Sequence, residues 1–272
     1  MTKINIGYNP AANMLPIFHF LDRSNPRLQF VRDVPAGHNR LLDLREIDMA
    51  PISAFSYGQH WQKYTILTDL SVSANGSIGS ILLYSKFPLT ALDGKTIALT
   101  NTSATSVNLL KVILAKFYRV RPNYITMAPD LEPMLEAADA ALLIADEALM
   151  GLAKNTSCQV FDLGSEWYKH TSLPMVFSVW AVADEVIQTC SDEVAYVHDL
   201  LLASKQQGLL HTETIINYCM QTLGEDHRFW SQYFSQVHNG LELEYLHGLT
   251  TYFRFCTELG LLDVQPEIKL WP

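Results

Sequence analysis

Cysteine is scarce: the chain has four in 272 residues, Cys158, Cys190, Cys219 and Cys256, each about 30 or more residues from the next. There is no C-x-x-C and no histidine pair at ligand spacing, which argues against a zinc site or a disulfide framework and leaves reduced thiols. Charge is also sparse at 17%, against 49% hydrophobic residues with 13 glycines and 12 prolines, so disorder, collagen-like repeats and fibrous coils are ruled out. Basic residues are the minority sign, 19 against 28 acidic, and the net charge of -9 opposes a nucleic-acid backbone. An anionic ligand would therefore depend on local donors and helix N-termini. Long apolar runs are missing. AALLIA and VWAVA fall far short of the roughly 20 residues of a membrane span. MTKINIGYNP lacks the apolar stretch of a secretory signal, so no membrane partner is expected and the cytoplasm is the expected compartment. G-x-x-x-x-G-K-[ST], G-x-S-x-G, H-E-x-x-H and G-x-G-x-x-G are all missing. His19, His38, His60, His170 and His211 stand without ligand partners, and neither a cofactor nor a metal is called for.

What is present is an alternation of short apolar runs and amphipathic stretches. Residues 3–8, 29–35, 80–85, 96–100, 124–128 and 141–146 read as strands, and Ser106 to Tyr118 reads as a helix with Val107, Leu110, Ile113, Leu114 and Phe117 on one face. Such alternation implies an α/β class with parallel sheets covered on both sides. After MVFSVWAVA the pattern becomes helical, over 184–207, 212–223, 226–238 and 241–260, with Gly224, Gly240 and Gly260 near the breaks. The length suits two lobes. Two strand-like segments without a flexible linker, 79–86 and 173–182, place residues 1–85 plus 176–272 in one lobe and 86–175 in an inserted second lobe. A hinged cleft follows, with its ligand at the C-terminal ends of strands.

Three segments offer donors for that ligand. In LTNTSATSVNLL a strand ends at Thr100 and a helix follows through Thr102, Ser103, Ala104, Thr105 and Ser106; free N–H groups and hydroxyls there make an anion seat, or Ser103 or Thr105 simply caps the helix. In SVSANGSIGSILLYS, Ser77 and Ser80 stand beside Gly76 and Gly79, where backbone can approach a ligand closely or form an ordinary turn. In IGYNPAANMLPIFHF, Asn9 and Asn13 precede a helix as ligands or caps, and Asp146 ends the strand ALLIAD, as a cleft acid or a cap. Trp167, Tyr168, Phe177 and Trp180 are expected in the core.

Taken in order, Gly7, Asn13 and Pro16, DVPAGHNRLLDLREIDMAPISAFSY at 33–57, NGSIGSILLYSKFPL at 75–89, LTNTSATSVNLL at 99–110, DAALLIADEAL at 139–149, DLGSEWYKHTSLPMVFSVWAV at 162–182 and ELGLL at 258–262 resemble the chorismate dehydratases of the futalosine route to menaquinone. These are relatives of periplasmic solute-binding proteins. The resemblance implies a two-lobed, type 2 periplasmic-binding-protein-like α/β fold with a helical C-terminal part. It also implies cofactor-free loss of water from chorismate to give 3-[(1-carboxyvinyl)oxy]benzoate, a small anionic substrate, with homodimerisation left open. It carries catalytic roles onto Asn13 and Ser80 and substrate binding onto Ser103, Ala104, Thr105 and Ser106; Gly79 and Asp146 join the expected binding residues from their places in the glycine-bearing turn and at a strand end. Two positions depart from the family, which more usually has glycine at Ala145 and at Ser172. The rivals are a non-catalytic binding protein of the same fold and the sister dihydroxynaphthoate-forming synthase, whose Cys-Pro-Asn-Asp pattern is missing at Asn9-Pro10-Ala11-Ala12.

Overall fold

The computed structural model describes residues 3–154 and 157–272. Its strands are β1 (Ile4–Tyr8), β2 (Leu28–Arg32), β3 (Met49–Ser53), β4 (Tyr64–Ala74), β5 (Ile81–Ser85), β6 (Thr96–Thr100), β7 (Asn123–Met127), β8 (Ala140–Ile144), β9 (Gln159–Asp162), β10 (Met175–Ala183) and β11 (Leu270–Trp271). They form a six-stranded sheet in the order β11-β4-β10-β3-β1-β2 and a five-stranded sheet in the order β7-β6-β8-β5-β9.

Both sheets are mixed rather than parallel. β10 runs antiparallel to β3 and β4, and β5 runs antiparallel to β8 and β9. The reason is that the chain crosses between sheets twice, and each crossing brings a strand back in the reverse sense. β3, β5 and β8 are buried along their whole length, as near-continuous apolar strands covered on both faces should be. β5 belongs by pairing to the second sheet, so residues 81–85, assigned from sequence to the first lobe, lie with the inserted block. The first crossing is the turn 75–80, and the second is 172–174.

Proline shapes the middle of the first sheet. The β1–β3 ladder is recorded only at Ile6–Met49, and Pro51, two residues on, has no N–H with which to extend it. On its other side Pro51 still faces Trp180 of β10. The sheet thus loosens beside β1 at the point where Pro51 lines the cleft described below.

The C-terminal helices pack back onto both sheets. Helix Ser191–Leu210 lies against Leu15–Phe18 so closely that a Cβ at Gly208 would meet the Pro16 carbonyl oxygen at 2.1 Å. Lys205 on this helix is buried, and its Nζ donates to the Asp69 carbonyl at 2.6 Å and pairs with the Asp69 carboxylate at 2.7 Å. Helices Thr212–Thr222 and His227–Gln236 form a hairpin. Ile215, Ile216, Cys219, Trp230 and Tyr233 from it pack with Ala12 and Leu15 of the first lobe and Leu149 of the second. Among the described residues no helix is long and apolar enough to cross a membrane. Trp167 and Trp180 are core residues as expected, whereas Tyr168 is exposed, because it sits on the outer face of helix Leu163–Thr171.

Candidate active site

A cleft of about 660 Å³ opens between the two sheets. Its floor is built where strands end and helices begin. Three nine-residue helices, Pro35–Asp43, Ala104–Val112 and Ala145–Ala153, start at its wall, contributing Val34 and Pro35, then Thr102, Ser103 and Ser106, then Ala145, Asp146 and Glu147. First-turn N–H groups have no carbonyl partner within their own helix, and the partial positive charge of three such ends converges on one space. A chain of net charge -9 can in this way present a locally attractive surface to an anion. Met14, Val72, Ile81 and Phe177 supply apolar wall beside these polar ends, enough to seat a ring.

Of the ligand candidates singled out from sequence, Asn9, Asn13, Thr102, Ser103, Ser106 and Asp146 line the cleft together. The Asn13 side chain bonds to no other described residue, while its backbone carbonyl accepts from Asn239 Nδ2 at 3.2 Å. Its amide is therefore at the disposal of a ligand. Ser103 is the N-cap of helix Ala104–Val112: its Oγ accepts from the Ser106 N–H at 3.2 Å and donates to Ser106 Oγ at 3.0 Å. Capping and cleft lining are combined in one residue here. Asn9, by contrast, uses its Oδ1 to accept from the Ala11 N–H at 3.1 Å, as a local turn former.

Ala104, Thr105, Gly79 and Ser80 are not among the lining residues. Thr105 is buried and faces inward, its Oγ1 accepting from the Phe55 N–H at 3.0 Å. Ser80 is fully buried behind the wall; its Oγ accepts from the Tyr233 hydroxyl at 3.1 Å, and its carbonyl accepts from the Ala145 N–H at 2.7 Å. Gly79 has φ +74°, the left-handed region in which a Cβ is strained, so the glycine is required by the backbone of the turn. The donors of this turn are consumed by one carboxylate. Asp162 accepts from Ser77 Oγ at 2.9 Å, from the Ile78 N–H at 3.1 Å and from the Gly79 N–H at 2.7 Å, while also capping helix Leu163–Thr171 through the Ser165 N–H at 2.9 Å. The turn is thus a strut between the lobes rather than a ligand cradle in this conformation.

Other cleft residues had no sequence motif to announce them. Arg32 is the only cation among the described residues that line it, and it makes no ion pair among those residues. Its only signal was its position as the last residue of β2, a strand end. Ser53, the last residue of β3, caps helix Ala54–His60 through the Ser56 N–H at 3.2 Å and holds Asn39 at 3.1 Å. Phe177, expected in the core, is buried yet forms part of the cleft wall. Three acids line the same space as Arg32: Asp33, Asp146 and Glu147. Burial pushes the Asp146 carboxyl above its ordinary range, and the hydrogen bond from the Ala12 N–H at 3.4 Å pulls it back in part. Burial raises Glu147 as well, with the neighbouring Asp146 charge adding to the rise. Among the described residues no group of three His, Cys, Asp or Glu side chains is placed to hold a metal ion.

The two departures from the family noted in the sequence are now located. Ala145 has φ +51° and Ser172 φ +55°, the left-handed region in which glycine is at ease and a Cβ is strained. Ala145 lies on the cleft wall, and Ser172 ends helix Leu163–Thr171 at the second crossing.

With the cleft so constituted, a family model described as menaquinone biosynthesis matches residues 4–258. The chain belongs to this menaquinone-biosynthesis family. Within it, chorismate dehydratase from Thermus thermophilus is 35% identical over 195 residues, covering 66% of this chain and 70% of the relative. The 1,4-dihydroxy-6-naphtoate synthase of the same organism is 25% identical over 180 residues, covering 64% of each chain. Among solved structures, protein AF1704 from Archaeoglobus fulgidus superposes with TM-score 0.77 at 20% identity, covering 95% of this chain and 98% of that one. The periplasmic aliphatic sulphonate binding protein SsuA from Escherichia coli superposes with TM-score 0.70 at 14% identity, covering 100% and 92%. The family member therefore has the periplasmic-binding-protein-like α/β fold with added C-terminal helices, as expected from its sequence.

Proposed function

We propose that this chain is a chorismate dehydratase, a carbon–oxygen lyase acting in the cytoplasm that forms 3-[(1-carboxyvinyl)oxy]benzoate without a cofactor. The observation that carries this is the cleft itself: helix N-termini, a free Asn13 amide and Arg32 surround an apolar wall, in a chain 35% identical to a chorismate dehydratase. A dicarboxylate with a flat ring needs those three elements and little else.

The chemistry fits the geometry. Removal of the proton from the ring carbon bearing the enolpyruvyl ether spreads charge through the diene into the ring carboxylate. Loss of the neighbouring hydroxyl then makes the ring aromatic. Donors fixed before reaction stabilise such developing charge more effectively than mobile water does. Ser103, Ser106 and the N–H groups of the first turn that follows Ser103 hold one carboxylate; Arg32 attracts the other. Asn13 orients the leaving hydroxyl, while Met14 and Phe177 hold the ring and keep water away from it. Ser80 contributes to the site through Tyr233 and the Ala145 N–H that closes the wall, not by touching the ligand in this conformation.

The test is incubation of the purified chain with chorismate, following the aromatic product by ultraviolet absorbance and mass. Stoichiometric conversion is expected without NAD, flavin or nucleotide. Tight binding of chorismate with no change in its mass would assign the cleft to a binding protein instead.

A further inference from the structure

We infer that Asp146 is the proton donor to the hydroxyl that leaves during this dehydration, an inference that rests on the reaction proposed above. The argument begins with position. Asp146 stands in the first turn of helix Ala145–Ala153, from the second lobe, and its carboxylate reaches across to the Ala12 N–H of the first. It therefore lies one residue along from Asn13, whose amide is the free donor on that side of the cleft. A hydroxyl oriented by Asn13 sits beside the Asp146 carboxyl.

The second consideration is access. A smaller pocket of about 170 Å³ adjoins the cleft, sharing Asp146, Thr222 and Leu223 with it and completed by Leu149, Met150, Glu225 and Trp230. Asp146 lines both spaces, so a proton given up toward the cleft can be replaced from the smaller pocket. Third, the electrostatic surroundings favour the protonated form of this group. Glu147 and Asp33 line the cleft with it, Glu225 lines the small pocket, and only Arg32 opposes them in sign. From the helical hairpin the nearby Cys219 and Tyr233 are themselves raised by burial and by the Asp146 charge, Cys219 to about 12, so neither supplies a balancing cation or a competing acid. A doubly negative substrate entering this space makes the protonated carboxyl still more favourable.

The step balances. The electron pair left on the ether-bearing carbon after its deprotonation becomes the new ring double bond, and the neighbouring carbon–oxygen bond breaks with its pair on oxygen. The Oδ–H bond of Asp146 breaks with its pair on the carboxylate, and that proton converts the leaving hydroxide into water. The proton removed from the ring passes to a carboxylate of the substrate and on to solvent. Solvent returns one proton to Asp146, so the sum is chorismate minus water.

The test uses Asp146→Asn, whose Oδ1 still accepts from the Ala12 N–H but which has no acidic proton to give. Its kcat is expected to fall at least a hundredfold, within the range of general acid catalysis. Its dissociation constant for the aromatic product should stay within about threefold of the parent. The parent's kcat should decline on the alkaline side as Asp146 loses its proton, the residual rate of Asp146→Asn should lack that decline, and Asp146→Glu should recover part of the rate. A kcat for Asp146→Asn within tenfold of the parent, with the alkaline decline retained, would show that the proton comes from elsewhere while leaving the dehydratase assignment intact. No consumption of chorismate by the parent protein would overturn the assignment and this inference together.

Discussion

Tyr233 donates its hydroxyl proton to Ser80 Oγ across 3.1 Å, tying the C-terminal helical hairpin to the turn by which the chain passes from one sheet to the other. Both residues are buried, so the bond has no water to replace it. Removing either partner should leave the other unsatisfied, at a cost of about 1–3 kcal/mol. Ser80→Ala and Tyr233→Phe are each expected to lower the thermal midpoint, and the double variant should lose less than the sum, with a coupling of about 1 kcal/mol. Thermal denaturation of the four proteins measures it. Additive losses would mean that the two hydroxyls do not depend on each other. A tenfold loss of turnover in Ser80→Ala at an unchanged midpoint would place Ser80 against the ligand after all.

Asn13 should behave in the opposite way. Its side chain bonds to no other described residue, and its backbone carbonyl, which accepts from Asn239, survives substitution. Asn13→Ala is expected to lower kcat/KM at least tenfold, about 1.4 kcal/mol of transition-state stabilisation, with the midpoint nearly unchanged. Steady-state kinetics beside a melting curve separates the two effects. A lowered midpoint with normal turnover per folded molecule would make Asn13 a structural residue.

The contrast between these two residues shows what the sequence could and could not convey. Asn13 and Ser103 were legible because a polar residue between a strand end and a helix start is local information, and the cleft forms at such junctions. The place of Ser80 behind the wall was not legible, because its surroundings come from residue 233, far along the chain, and the hydroxyl-rich turn around it gave no hint that Asp162 would take up its donors. β3 and β4 escaped notice for related reasons. MAPIS carries a proline, and YTILTDLSVSA mixes serine and threonine into the apolar pattern. Their burial is set by pairing with β10, more than 100 residues later. Arg32 had only its place at a strand end to mark it.

Backbone strain at the two family departures leads to a stability prediction. Ala145 and Ser172 hold φ near +50° with a Cβ in place, which costs on the order of 1 kcal/mol at each position. Ala145→Gly and Ser172→Gly are each expected to raise the thermal midpoint by about 2–4 °C, the shift about 1 kcal/mol produces in a chain of this size class. Unchanged or lowered midpoints in both would mean that the gain of unfolded-state entropy on adding glycine outweighs the relief.

Asp146 offers a pH-dependent stability change of definite sign. Burial raises its carboxyl above the ordinary value of 3.8, so the folded chain holds this proton more tightly than the unfolded chain does. Stability from that preference is fully present below 3.8 and is lost as pH rises through the raised folded value. Above that raised value the carboxylate is a buried charge held by a long hydrogen bond, from the Ala12 N–H at 3.4 Å, with Glu147 beside it. Asp146→Asn keeps the acceptor and removes the charge. It should therefore melt above the parent near pH 7.5, by about 2–4 °C for about 1 kcal/mol, and the difference should shrink steadily as pH is lowered toward 4. Midpoints recorded across that range decide the matter. A variant that melts below the parent at neutral pH would mean that the charged carboxylate, through Ala12 and the positive end of its own helix, holds the lobes together more strongly than its burial opposes them. The opposite result, higher stability bought with lost turnover, is what a residue kept for its proton rather than for the fold should give.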